Sequence, residues 1–148
     1  MKTLALTLLF IFLTSCAYAG SSHKSPKRHE LRCLAENVYF EARSESLAGQ
    51  MAVAIVTLNR VKSPHYPDNL CKVVHMAKAF SWTANPQPIL DMDAWRVAVE
   101  IAVAAIKGVI PFNLQSITHF HTIRINPYWA SSLKHIKTIG NHKFYGSK

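Results

Sequence analysis

The chain has 148 residues, 49% hydrophobic and 10% aromatic, with 17 Lys and Arg against 8 Asp and Glu for a formal net charge of +9. A charged fraction of 17% is below the average of a soluble chain, so neither a disordered chain nor an acidic tail fits, and 5 Gly with 7 Pro exclude collagen-like and low-complexity classes. One domain is expected, and 3 cysteines are too few for a disulfide-dense scaffold.

The chain opens with Met1-Lys2, an apolar run from Leu4 to Leu13 that is too short to span a bilayer, and then small residues. This pattern is that of an export signal. Two processing sites overlap in it. Ala17-Tyr18-Ala19 before Gly20 suits an ordinary signal peptidase and would define a leader over residues 1–19, whereas Leu13-Thr14-Ser15-Cys16 resembles a bacterial lipobox that would leave Cys16 acylated. Either cleavage removes Lys2 alone among the charged residues, so the exported chain keeps a net charge one unit below the +9 of the whole. A basic exported protein points to anionic partners, either lipid or wall polymers that carry peptide and lactyl carboxylates; export sets nucleic acid aside. A membrane contact is expected only through a lipid at Cys16. Cys33 and Cys71 then remain as an even pair in an oxidising compartment, which is a candidate disulfide closing a long loop.

Residues 20–28 are polar, basic and turn-rich and read as a tether, and residues 29–148 as the domain. Leu31, Leu34, Ala35, Val38 and Ala42 recur at helical spacing and predict a first helix from about Glu30 to about Arg43. Ser44 or Ser46 can cap a second, mostly buried helix through Met51 to Leu58, ended by Ser63-Pro64. Asp68-Asn69 precede a short helix from Leu70 to about Lys78, followed by an irregular loop through Phe80-Ser81-Trp82-Thr83. Asp91 or Asp93 can cap a helix through Trp95, Val99, Ala102, Val103 and Ile106, with Gly108 and Pro111 as its stop. From Ile117 to Ile125 the period changes to two, predicting a strand with His119 and His121 on one face and Thr118, Phe120 and Thr122 on the other. A turn over Ile139-Gly140-Asn141-His142 and the finish Lys143-Phe144-Tyr145 complete an α+β chain, mainly helical with a small β element at its C-terminal end.

Three carboxylates mark the first helix and its end. With Leu31 at zero, Glu36 falls near roughly 140°, facing water, Glu41 near roughly 280° and Glu45 near roughly 320°. Glu41 therefore sits at the edge of the apolar stripe, where partial desolvation raises a carboxyl pKa toward the range of a general acid. Arg43, or a basic residue of the next helix such as Arg60, could hold one of these carboxylates ionised. His119, His121 and His142 offer three imidazoles and hence a possible zinc site of amidase or peptidase type, although no H-E-x-x-H helix is present. Phe80, Trp82, Tyr128, Trp129, Phe144 and Tyr145 lie outside helical core spacing, where flat rings can form platforms for sugars.

These residues also carry a family pattern. Cys33-Leu-Ala-Glu-Asn-Val-Tyr-Phe-Glu41-Ala-Arg43-Ser-Glu45, Ala48-Gly49-Gln50, Leu58-Asn59-Arg60-Val61, Phe80-Ser81-Trp82-Thr83, Thr118-His119-Phe120-His121, Pro127-Tyr-Trp129-Ala130 and Ile139-Gly140-Asn141-His142-Lys-Phe144-Tyr145 resemble, in order, the SleB-type cell wall hydrolases, the spore cortex-lytic enzymes. The resemblance implies a lysozyme-like α+β fold and a peptidoglycan lytic transglycosylase in which Glu41 is the catalytic acid. It implies cleavage of glycan strands between N-acetylmuramic acid and N-acetylglucosamine without a cofactor, and the chain is expected to be a monomer. Arg43, Glu45, Ser81, Trp82, His119, His121 and Asn141 are the expected sugar-orienting residues. This chain has Arg43-Ser44-Glu45 where the family usually has Arg-Gly-Glu, and Phe120 where Tyr is commoner. The competing expectations are the zinc amidase or peptidase and a wall-binding module without catalysis.

Overall fold

The computed structural model describes residues 28–109 and 114–147; the leader, Cys16 and tether residues 20–27 lie outside them. Helix α1 (Arg28–Ala42) starts with the last residue of the expected tether and buries Leu34, Ala35, Val38 and Ala42. That stripe packs against α2 (Leu47–Lys62), α3 (Leu70–Val74) and α4 (Met92–Ile106), which makes α1 the common wall of the helical layer. Helix α2 is buried continuously from Met51 to Thr57. Its N-cap Ser46 accepts from the Gly49 N–H at 3.3 Å, and Ser63 before Pro64 ends it. Asn69 caps α3 by accepting from the Lys72 N–H at 3.1 Å, and Asp91 caps α4 by accepting from the Ala94 N–H at 2.9 Å. Gly108, at φ 80°, closes α4 in the left-handed conformation that a side chain resists.

Helix α3 stops at Val74 and does not reach Lys78. The chain turns after it, and Lys78 adopts φ 62°, a left-handed value incompatible with a continuing right-handed helix. The loop expected at Phe80 contains a 3-10 turn over Ser81–Ala84.

Three antiparallel strands follow: β1 (Ile117–Thr122), β2 (Lys134–Ile139) and β3 (His142–Gly146), in the order β1-β3-β2. Strand β1 is shorter than its alternation predicts. Beyond Thr122 the Ile123 N–H donates to the Asn141 carbonyl at 2.8 Å and the Ile125 N–H returns to the Thr122 carbonyl at 3.2 Å, so the chain turns. Strand β2 is absent from the pattern reading because its register shifts between His135 and Lys137. The shift leaves its partly and fully buried residues, Ile136 and Ile139, three apart, and a period of two cannot find them.

The core joins α1, α2 and α4 to Leu114, Ile117, Ile139 and Phe144. Helix α2 anchors the start of the sheet: Asn59 Nδ2 donates to the carbonyls of Leu114 and Ile117, both at 2.9 Å, and Arg60 Nε to that of Thr118 at 2.8 Å. A Cys33–Cys71 disulfide, spanning 38 positions, ties α1 to α3. Beside it, buried Asn37 donates to Thr57 Oγ1 at 3.1 Å and accepts from Trp82 Nε1 at 3.0 Å, linking α1, α2 and the 3-10 turn. These ties hold the C-terminal end of α1 and the inner face of β1 on opposite sides of one groove.

Candidate active site

The groove has a volume of about 460 Å³, with Glu41 of α1 and Arg60 of α2 on its helical side and His119, His121, Trp129 and His142 on its sheet side. Glu41 is the only acid among the described lining residues. Burial pushes its carboxyl up to about 7, against the pull of the Arg60 guanidinium, which favours the ionised form. The helix explains the position: one residue before buried Ala42, Glu41 cannot leave the rim of the apolar stripe without unwinding α1.

Arg60 is 7% exposed. Its guanidinium carbon lies 5.4 Å from the Tyr66 ring centre and 5.0 Å from that of Phe80, and Nε is fixed on the Thr118 carbonyl. Burial lowers its pKa, partly offset by Tyr66 and Glu41, yet a guanidinium keeps its charge. Tyr66 Oη lies 3.4 Å from His119 Nε2, whose ring also meets Thr118 Oγ1 through Nδ1 at 3.0 Å. Burial, helped by the Arg60 charge, lowers the His119 pKa, so that ring is neutral at pH 7.

His121 Nδ1 lies 2.8 Å from the Thr122 carbonyl, which only accepts, so this nitrogen carries the proton. Nε2 is then left to accept from Tyr145 Oη at 2.9 Å. The rings of His119 and His121 lie 5.2 Å and 5.6 Å from Trp129, which presents an aromatic wall to the groove. His142 is buried, and burial with the nearby His121 lowers its pKa despite the Glu45 carboxylate.

The expected site residues separate into two groups. Glu41, His119 and His121 share the groove; Arg43, Glu45, Ser81, Trp82 and Asn141 are not among its lining. Arg43 is exposed and lies over the Tyr39 ring at 5.0 Å, so Arg60, not Arg43, is the cation that acts on Glu41. Trp82 stacks on Phe40 with centres 4.6 Å apart and holds Asn37, and Ser81 begins the same 3-10 turn. Glu45 accepts from the Asn141 N–H at 3.1 Å and from Asn141 Nδ2 at 3.0 Å, one oxygen each. A Cβ on Gly140 would come within 2.0 Å of Glu45 Oε2, so the β2–β3 turn closes over this carboxylate only because residue 140 is glycine, at φ 54°. Glu36 pairs with Arg32 at 2.8 Å on the outer face of α1.

Tyr66 and His142 complete the groove without having been singled out as sugar ligands, whereas Trp129 is one of the rings expected as sugar platforms. For Arg60 a signal existed: it lies four residues beyond Val56 and seven beyond Val53, on the buried side of an otherwise apolar helix, where a charge needs a reason. A three-histidine zinc site is not formed. Among the described residues the only trio of His, Cys, Asp or Glu with ligand atoms within 4.8 Å of one another is His29, Cys33 and Cys71, and its two sulfurs are joined to each other.

Residues 44–145 match the Cell Wall Hydrolase family. The chain belongs to this family. The matched segment begins just past Glu41. Among relatives, the chain is 34% identical to the spore cortex-lytic enzyme of Bacillus subtilis (strain 168) over 116 residues, covering 78% of this chain and 37% of that protein. The spore cortex-lytic enzyme of Halalkalibacterium halodurans is also 34% identical over 116 residues, 78% of this chain and 34% of the relative. The chain thus spans little more than a third of the length of these two relatives. Among solved structures, the catalytic domain of the Bacillus cereus SleB protein superposes with a TM-score of 0.71 at 29% identity, covering 82% of this chain and 93% of that one. The catalytic domain of the germination-specific lytic transglycosylase SleB from Bacillus anthracis gives 0.69 at 28% identity, covering 82% and 98%.

Proposed function

We propose that this cell wall hydrolase degrades peptidoglycan by cleaving the glycosidic bond between N-acetylmuramic acid and N-acetylglucosamine as a lytic transglycosylase, with Glu41 as its single acid and base. The observation that carries this reading is the Glu41 carboxyl, pushed up to about 7 in a groove walled by Trp129 and Tyr66. Protonated below that value, it donates its proton to the glycosidic oxygen as the bond to C1 of the muramyl residue breaks. The resulting Glu41 carboxylate is stabilised through space by Arg60 and takes the proton of the muramyl C6 hydroxyl as that oxygen attacks C1. The product is a 1,6-anhydromuramyl end, and no water is consumed.

One carboxyl suffices because the nucleophile belongs to the sugar itself. A hydrolytic glycosidase normally needs a second carboxyl facing the first. Support for the one-carboxyl route comes from Glu45, the nearest alternative, whose two oxygens are engaged by Asn141 outside the groove lining. The leader read in residues 1–19 would deliver the enzyme to the cell envelope, where its substrate is. The test is digestion of peptidoglycan sacculi by wild type and Glu41→Gln with mass analysis of the soluble fragments. Anhydromuropeptides from wild type and none from the variant are expected; reducing ends from wild type would mean hydrolysis, and equal release by both proteins would remove Glu41 from the chemistry.

A further inference from the structure

Glu41 accounts for only part of the groove. Arg60 is 7% exposed, its Nε is committed to the Thr118 carbonyl, and its Nη1 is buried with no hydrogen-bond partner among the described residues. An unpartnered donor on a buried cation is costly, and such a group calls for a physical explanation. This guanidinium cannot swing away to find water, because the Tyr66 and Phe80 rings flank it. The guanidinium is held in place as part of the groove lining.

A second cation stands close by in the chain. Lys78 also lines the groove, two residues before the Phe80 ring on which Arg60 rests. Its backbone is held at φ 62° although it is not glycine, a conformation that costs roughly 1 kcal/mol and is found most often where function maintains it. Arg60 and Lys78 are thus two cations of one groove lining that holds a single acid, Glu41, among its described residues.

Resting on the reading of the groove as a glycan site, we propose that Arg60 and Lys78 form a carboxylate-binding subsite that recognises the acidic substituent of the muramyl residue. That substituent is either the free lactyl carboxylate or a carboxylate of the attached peptide. A planar guanidinium fixed at one edge and a flexible ammonium at the rim suit a carboxylate, and neither a hydroxyl nor an acetamido group requires two cations. The two cations would thereby set which sugar enters the side of the scissile bond where the C6 hydroxyl must lie, because N-acetylglucosamine carries no such acid.

The experiment measures binding to the full chain carrying Glu41→Gln, so that its outcome does not depend on turnover. Peptide-stripped glycan strands with free lactyl carboxylates are compared with the same strands capped as methylamides, and peptide-bearing strands are treated in the same two ways. Capping is expected to weaken binding by roughly 10-fold or more, the worth of a hydrogen bond to a charged group. Loss on the stripped strands assigns the lactyl group, and loss on the peptide-bearing strands alone assigns the peptide. Lys78→Gly, which keeps the left-handed backbone and removes the cation, should shrink the capping effect with Tm nearly unchanged, and Arg60→Lys should shrink it further. Equal affinity for capped and uncapped strands of both kinds overturns the proposal. A capping effect on binding without any cleavage by the wild-type enzyme would retain the subsite while rejecting the transglycosylase reading of Glu41.

Discussion

The end of α1 and the turn that follows it carry two glutamates four residues apart, and the fold puts them to opposite uses. Glu45 is inside the structure: its side chain is 6% exposed, its oxygens take two hydrogen bonds from Asn141, and Gly140 closes over it. Glu41 faces the groove with no hydrogen-bonded partner among the described residues, so burial dominates and its carboxyl rises to about 7. A carboxylate given donors becomes a rivet between the helical layer and the sheet, whereas one largely withdrawn from water with a cation in the same groove becomes an acid. What a glutamate does here is decided by the donors the fold supplies, not by its distance from the helix end.

The sharpest way to break this contrast is to remove each carboxylate in turn. Glu41→Gln should lower kcat on peptidoglycan by about 10²–10⁴-fold, the usual worth of a positioned general acid, with the protein still folded by circular dichroism. The helical layer has a larger staple: Cys33→Ala with Cys71→Ala should cost about 4 kcal/mol of stability for a loop of this length, read as a fall in denaturant midpoint. Glu45→Ala leaves the Asn141 donors unanswered and should cost about 1–3 kcal/mol, lowering Tm while leaving the class of product unchanged.

Smaller effects refine the account of Glu41. Its folded pKa is raised from 4.5 to about 7, so the stability it contributes is fully present below about 4.5 and is lost as pH rises through about 7. Glu41→Gln should therefore match wild type in unfolding free energy near pH 4 and exceed it near pH 8, by roughly 2 kcal/mol after allowance for the solvent in the groove. In activity, the alkaline limb of the kcat profile should lie near 7. Arg60→Gln should move that limb to higher pH, because Arg60 lowers the Glu41 pKa; an unchanged limb would mean that the two charges do not interact.

Much of this was legible in the sequence, and the reasons differ by element. The period of α1 put Glu41 on the rim of the apolar stripe, and Ser46, Asn69 and Asp91 marked helix starts because short polar side chains bond the free N–H groups there. Helix angle alone placed Glu45 nearer the stripe than Glu41, but it holds only while the helix lasts, and α1 ends at Ala42. Strand β2 was hidden by its register shift, and the early end of α3 by the left-handed turn at Lys78, neither of which has a compositional mark. Trp82 looked like a sugar platform because aromatic residues in loops often are. Its indole N–H was instead taken by buried Asn37, a partner 45 residues away that no local pattern connects to it.

The most direct test of the central claim is a titration of the Glu41 carboxyl itself. Carbon-13 NMR of the protein labelled at glutamate Cδ, with the Glu41→Gln variant to assign the resonance, would follow that one group from pH 3 to pH 9. The account predicts a midpoint near 7, moving upward in Arg60→Gln. A midpoint near the ordinary 4.5, unmoved by the Arg60 substitution, would show a solvated carboxylate and contradict the assignment of Glu41 as the acid.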